Sequence, residues 1–215
     1  MVQSTNLRRA GTILCFLTIA GWAYWGTLHF GEKNLLLYMK LDYLSRTEQW
    51  QEIERICNGK TGNYLYMSML ARALAEQGKL TDNLLQCKFK HEASLIVPWN
   101  RTEEVSTLLS DIHFTVGNIA QAQRMAFEGN LCSRGNYNVR LIQRLIQTNL
   151  IFGEYNVAEK YIRLLEKTWF YRDWANKQRK YLNNDKLIEQ DPLLGHKREL
   201  LPAPNDTSML IIGSE

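Results

Sequence analysis

Cysteine is scarce in this chain. Its 215 residues include four, Cys15, Cys57, Cys87 and Cys132. None forms a CxxC pair and the intervals do not suit zinc. A disulfide framework is equally excluded, because so few cysteines cannot staple a chain of this length. A strong excess of one charge is also missing. There are 26 Lys and Arg against 22 Asp and Glu, a net charge of +4. A nucleic-acid-binding surface calls for a larger excess gathered on one face, so nucleic acid is not an expected partner. The densest basic group is Lys160, Arg163, Lys167, Arg172, Lys177, Arg179 and Lys180, interrupted by Glu159, Glu166 and Asp173. It reads as a solvated helix face. With 45% hydrophobic and 22% charged residues, the composition is globular. The length suits one ordinary domain plus an anchor.

Recognisable chemistry is missing as well. NGKTGN (58–63) contains the Gly-Lys-Thr that ends a phosphate-binding loop, but the glycine required five residues before Gly59 is Glu54. Such a loop also follows a buried strand, whereas IERIC reads as helix, so the segment is expected to be a helix stop and turn. His91-Glu92 opens like a zinc-protease motif, yet Leu95 stands where the second His is needed. Asp111 and His113, two apart, fall on different helix faces. His29 and His196 have no partner nearby in sequence, and no Ser or Cys sits in a nucleophile elbow. The sequence therefore offers no catalytic residue, cofactor site or metal site, and no small-molecule substrate is evident. It reads as a non-enzyme.

What is present begins at the N-terminus. AGTILCFLTIAGWAYWGTLHF (10–30) holds no Lys, Arg, Asp or Glu over 21 residues. A helix of that length spans about 30 Å, the thickness of a bilayer's hydrocarbon core. Arg8 and Arg9 flank its start, and Trp22, Tyr24, Trp25 and Phe30 crowd its far end, as at a membrane interface. The pattern predicts a basic flank (1–9) in the cytoplasm, a single transmembrane helix (10–30), and the bulk of the chain on the outer, periplasmic side. A cleaved signal peptide shares this layout, with Gly21-Trp22-Ala23 as a small-x-small site. The apolar run continues to Phe30, which favours an uncleaved anchor. Leu14 before Cys15 argues against a lipoprotein signal.

Beyond the anchor, a pattern repeats. In FTVGNIAQAQRMAF (114–127), Gly117 is followed by Ile119 at plus two, Ala122 at plus five, then Met125 and Ala126. Gly153 repeats this with Tyr155, Ala158, Tyr161, Ile162 and Leu165. Gly78 has Leu80, Asn83 and Cys87, and Glu48 takes the glycine position before Trp50, Ile53, Ile56 and Cys57. The anchors 48, 78, 117 and 153 lie roughly one helical hairpin apart. A tight turn between helices favours a residue tolerant of positive φ. A large side chain at plus two plugs the gap where the helices diverge, and a small one at plus five permits close approach. The i, i+3, i+4 spacing then gives each helix one apolar face. Preceding helices agree: Met67, Leu70, Ala71 and Leu74 share a face, as do Leu141, Ile142, Leu145 and Ile146. Cys57 and Cys87 occupy the same repeat position, where cysteine acts as a small buried hydrophobe.

On these positions the chain resembles the tetratricopeptide repeat. Gly117 and Gly153 match its turn glycine, and Ala122 and Ala158 its small second-helix residue. The Trp, Leu-Gly and Tyr of that family's first helix are not kept, Asn83 departs from the small position, and two intervals exceed 34 residues. HEASLIVPWNRTEE accounts for one of these, since Pro98 breaks any helix there and Asn100 with Glu103 can cap the next. Over 35–190 the sequence is also similar to the C-terminal region of an uncharacterised family of bacterial membrane proteins. The carrying stretches are DYLSRTEQWQEI, AQRMAFEGN and QTNLIFGEYNVAEKYIRLLEKTWFYRDWA. In that family several membrane spans precede the helical region. One is visible here, so the chain is either a short member or a truncated reading frame.

In TWFYRDWANKQRKYL (168–182), Phe170, Trp174 and Tyr181 share a face, and a terminal capping helix is expected. A partner-binding aromatic patch is the other reading. Residues 191–215, with Pro192, Pro202 and Pro204, read as an irregular tail whose apolar run 209–212 folds back or joins a partner.

The expected protein is thus all-α. A transmembrane helix is followed over 35–190 by an irregular tetratricopeptide-like hairpin stack, a right-handed solenoid. The expected function is a protein–protein interaction scaffold at the cell envelope. The expected contacts are a protein partner and the membrane, the latter through 10–30. Repeat register places Arg72, Glu76, Asp111, Gln143 and Gln147 in a partner groove lined by first helices. The rival is an accessory region of a membrane enzyme or transporter whose other spans lie elsewhere. A cell-envelope hydrolase is a third, weaker reading.

Overall fold

The computed structural model describes residues 2–30, 33–57, 63–84 and 97–202. Twelve α-helices are present among the described residues, with no strand. The chain divides into two compact units, Met1–Leu95 and Ile96–Glu215.

In the first unit, α1 (Val2–Phe30) is followed by α2 (Lys33–Arg46), α3 (Trp50–Cys57), α4 (Tyr64–Glu76) and α5 (Leu80–Leu84). Helices α2, α3 and α4 pack on one another. They bury Leu41, Leu44, Ile53, Cys57, Met67, Leu70, Ala73 and Leu74, which puts Cys57 in the packing role expected of it. Cys87 and the His91-Glu92 pair lie outside the described residues. Ile53–Cys57 is helical, as expected of IERIC, and residues 58–62 of the NGKTGN segment lie outside the described residues. Asn63 caps α4, its side chain accepting from the Leu65 amide at 2.8 Å.

Helix α1 covers the segment expected to cross a membrane. Its Ile13, Leu14, Phe16, Leu17, Ile19 and Trp22 side chains are all exposed. Among the described residues, however, no helix is long and apolar enough to cross a membrane. Three glycines, three threonines and the polar-edged Trp22, Tyr24 and Trp25 dilute the apolar surface of 10–30. The expected span is therefore found as a helix and not as a self-sufficient span.

The second unit holds α6 (Glu103–Val116), α7 (Ile119–Cys132), α8 (Val139–Phe152), α9 (Tyr155–Glu166), α10 (Arg172–Gln178), α11 (Asp185–Glu189) and α12 (Leu194–Glu199). Successive helices from α6 to α10 pack pairwise. Where Asn100 was expected to cap α6, Thr102 does so, accepting from the Val105 amide at 3.4 Å. Asn100 supports the cap by accepting from the Thr102 hydroxyl at 2.7 Å. Helices α6 and α7 run antiparallel: the Ser110 hydroxyl donates to the Ala122 carbonyl at 2.9 Å, and early Ser106 meets late Gly129. A Cβ on Gly129 would fall 2.7 Å from Ser106 Cβ and 2.8 Å from Leu141 Cδ1, so three helices converge on its bare backbone. The main core gathers Phe114, Ile119, Ala122, Ile142, Ile146, Leu150, Ala158, Ile162, Ala175, Ile188 and Leu194.

All four expected turn positions have positive φ: Glu48 at 57°, Gly78 at 69°, Gly117 at 87° and Gly153 at 79°. The hydrogen bonds repeat too. Each of these amides donates to the carbonyl three residues back, and the next amide to the carbonyl five back from itself. Asn118 reaches His113 at 2.9 Å, Glu154 reaches Asn149 at 2.8 Å, Lys79 reaches Leu74 at 2.8 Å and Gln49 reaches Leu44 at 2.9 Å. This is the Schellman ending, which satisfies carbonyls the helix leaves open. The next helix begins at plus two every time. At plus five, Ile53, Ala122 and Ala158 are fully buried.

Candidate functional site

The five residues expected to line a groove divide between the units. Arg72 and Glu76 belong to the first. Arg72 donates to Ser45 Oγ at 3.2 Å and lies 5.5 Å from the centre of the Trp50 ring. Glu76 is exposed near the end of α4.

Asp111, Gln143 and Gln147 belong to the second unit, on α6 and α8. Arg140, Gln143, Arg144 and Gln147 lie at i, i+3, i+4 and i+7 along α8, so one helix face presents them together. Asp111 meets that face. Its carboxylate pairs with Arg140 and with Arg144, the latter at 2.9 Å. Arg144 also donates to Gln147 at 3.0 Å and stacks 3.7 Å from the centre of the Phe114 ring. Asn138 and Glu103 hydrogen-bond farther along the same seam. Asp111 is only 6% exposed. It is not the open carboxylate that repeat register suggested, but one that holds two guanidiniums and so fixes α6 against α8. Gln143 and Gln147 remain partly exposed beside it. Arginine's fixed fork of donors suits such a bridge.

Sequence reasoning missed the element that closes the seam. Residues 194–199, placed in an irregular tail, form α12, with Leu194 buried and Leu201 packed on the core. Asp191 holds the turn that leads into this helix. Its Oδ1 accepts from the Leu193 and Leu194 amides at 3.0 and 2.9 Å, and its Oδ2 from the Tyr181 hydroxyl. Burial pushes the Asp191 carboxyl up, but these bonds outweigh burial and hold it below the usual carboxylate range. The Asp-Pro-Leu-Leu sequence was the available signal, since Asp and Pro favour a turn, here the one that leads into α12. Gly195 fits only because it lacks a side chain: a Cβ there would stand 2.3 Å from the Glu189 carbonyl oxygen.

From α12, Lys197 Nζ donates to the Thr115 carbonyl at 2.6 Å, at the end of α6. Arg198 donates to the Ile151 and Leu150 carbonyls at 3.0 and 3.3 Å, at the end of α8. Two cations thus cap two helix C-termini, where the dipole favours positive charge. Arg198 also pairs with Asp185 at 2.7 Å and with the Tyr155 hydroxyl at 3.2 Å. Burial raises the Tyr155 phenol, and its bond to Asp185 raises it further.

The expected cap over 168–182 is therefore built differently. Ala175 and Tyr181 are buried and Trp174 packs on the core, but Trp169 is 89% exposed and Phe170 88%. His113, half-buried on α6, has its pKa lowered by burial. His29 stacks on Trp25, with centres 5.1 Å apart, and His196 is exposed. Among the described residues, no group of three His, Cys, Asp or Glu side chains could hold a metal ion.

No curated protein and no solved structure matches the chain. A family model matches residues 4–214, nearly its full length, and by that match the chain belongs to DUF6057, a family of unknown function.

Proposed function

We propose that this protein is a membrane-associated helical scaffold that holds a protein partner at the cell envelope. The observation that carries the reading is the repeated hairpin turn. One Schellman ending recurs at 48, 78, 117 and 153, as in arrays whose stacked hairpins offer extended binding surfaces. The reading takes the hairpins of each unit as an irregular, right-handed, tetratricopeptide-like stack.

Helix α1 supports the membrane part. Over residues 10–30 it carries no Lys, Arg, Asp or Glu, and its Ile13, Leu14, Phe16, Leu17 and Ile19 side chains are exposed, a surface that water penalises and lipid accepts. Its threonine hydroxyls donate to its own backbone, Thr18 to Cys15 and Thr27 to Tyr24, each at 2.8 Å. That removes the cost of burying them. In this reading Arg8 and Arg9 stay in the cytoplasm and both helical units lie on the outer side.

The partner surface of the second unit is the exposed rim of α8, Gln143 and Gln147, beside the Arg140–Asp111–Arg144 bridge. A photo-crosslinking residue at Gln143 in cells captures one defined protein, and the same probe at Arg124 on the exposed side of α7 does not. Equal capture at both positions, or none at Gln143, refutes the groove.

A further inference from the structure

Residues 159–180 contain seven Lys and Arg against three Glu and Asp, an excess of four. The whole chain carries +4, so the rest of it is balanced and this stretch holds the entire net charge. The structure shows where that charge stands. Arg163 pairs with Glu159 at 2.7 Å, and Arg179 holds Glu166 through two bonds of 2.5 and 2.9 Å. The acidic residues of α9 are thereby neutralised. Lys160, Leu164 and Lys167 lie at i, i+4 and i+7, one exposed stripe along α9. The stripe ends at Trp169 and Phe170, the two most exposed large hydrophobic side chains among the described residues, stacked with centres 6.4 Å apart.

Their presentation is braced. The Thr168 hydroxyl donates to the Leu165 carbonyl at 2.6 Å and accepts from the Tyr171 amide at 3.3 Å. Arg172 ties the far side of the corner to the Glu166 carbonyl at 3.1 Å. The two exposed rings stand beside the exposed cations Lys160, Lys167 and Arg172. They match a surface that is apolar within and anionic at its face. Aromatic rings settle at the bilayer interface, and each basic residue near an anionic leaflet contributes about 1 kcal/mol.

We infer that the α9–α10 corner is a membrane-contact surface, with Trp169 and Phe170 entering the interface of an anionic bilayer while Lys160, Lys167 and Arg172 face its phosphates. This contact belongs to the second unit by itself and does not require α1 to insert.

The test uses the full chain labelled with 5-fluorotryptophan. It is reconstituted in nanodiscs of phosphatidylcholine with equal phosphatidylglycerol, or of phosphatidylcholine alone, each doped with headgroup-spin-labelled lipid. Trp169→Phe identifies the Trp169 fluorine line. That line broadens in the anionic discs and recovers in zwitterionic discs and at high salt, while the line of Trp174 keeps its folded position. Lys160→Gln with Lys167→Gln weakens the docking equilibrium roughly thirtyfold. A Trp169 line unaffected by the spin label in anionic discs overturns the inference. So does equal broadening in both lipids. A corner that ignores lipid but crosslinks to a protein partner overturns it in favour of a protein surface. The lines of Trp22 and Trp25 report α1 separately, so failure of α1 to insert is distinguished from failure of this corner to dock.

Discussion

Glu48 carries the same turn as three glycines, at a φ of 57°. A Cβ in the left-handed region costs about 1–2 kcal/mol. Glu48→Gly therefore raises stability by about 1 kcal/mol, read as a higher urea midpoint at unchanged slope. Gly78→Ala, with open space around it, lowers stability by a similar amount. Asp111 behaves differently from an open groove residue. Asp111→Asn leaves Arg140 and Arg144 against a neutral group and costs about 2 kcal/mol, less than a fully buried pair because both guanidiniums keep some solvent. Loss of partner capture in such a variant would therefore report unfolding as readily as recognition, which is why Gln143 is the better probe. His113 sets a pH dependence. Burial depresses its folded pKa, so the unfolded chain takes up the proton first as pH falls. Its contribution is complete above about pH 6.5 and is lost toward the depressed folded value. The drop in urea midpoint on acidification through that window is smaller in His113→Gln than in the wild type.

Helix α12 is short, yet it joins three parts of the second unit. It reaches the end of α6 through Lys197, and the end of α8 and the start of α9 through Arg198. Gly195→Ala forces a Cβ against the Glu189 backbone, which cannot turn aside as a side chain can. It costs at least as much as core overpacking, about 1–3 kcal/mol, and amide exchange accelerates at the C-terminal turns of both α6 and α8. Gly117→Ala meets only the movable side chain of Leu200, so its cost is mainly that of positive φ and α12 stays protected. Faster exchange confined to α12 itself in Gly195→Ala would show that the helix does not brace its neighbours.

For the molecule as a whole, the proposed topology places both units on the outer side of the membrane. Cys132 is exposed and Cys57 buried. In a Cys87→Ser background, an impermeant maleimide labels Cys132 in vesicles with the outer side exposed and leaves it unlabelled in inverted ones. The opposite pattern reverses the orientation, and labelling in both shows that the chain does not cross.

The sequence by itself determined the helical class, the four turns and the small packing residues. These depend on neighbours within a few positions: a residue tolerant of positive φ, an apolar residue two later, a small one at five. The tertiary structure decided the rest. It alone showed that Asp111 is enclosed by two arginines and that the tail closes over two helix ends. Those contacts join residues tens of positions apart, as from Lys197 to Thr115, and periodicity carries no record of them. Trp169 and Phe170 make the same point from the other side. The spacing of Phe170 with Trp174 and Tyr181 suggested one shared face. A threonine-braced turn interrupts the helix between them, and the rings point to solvent.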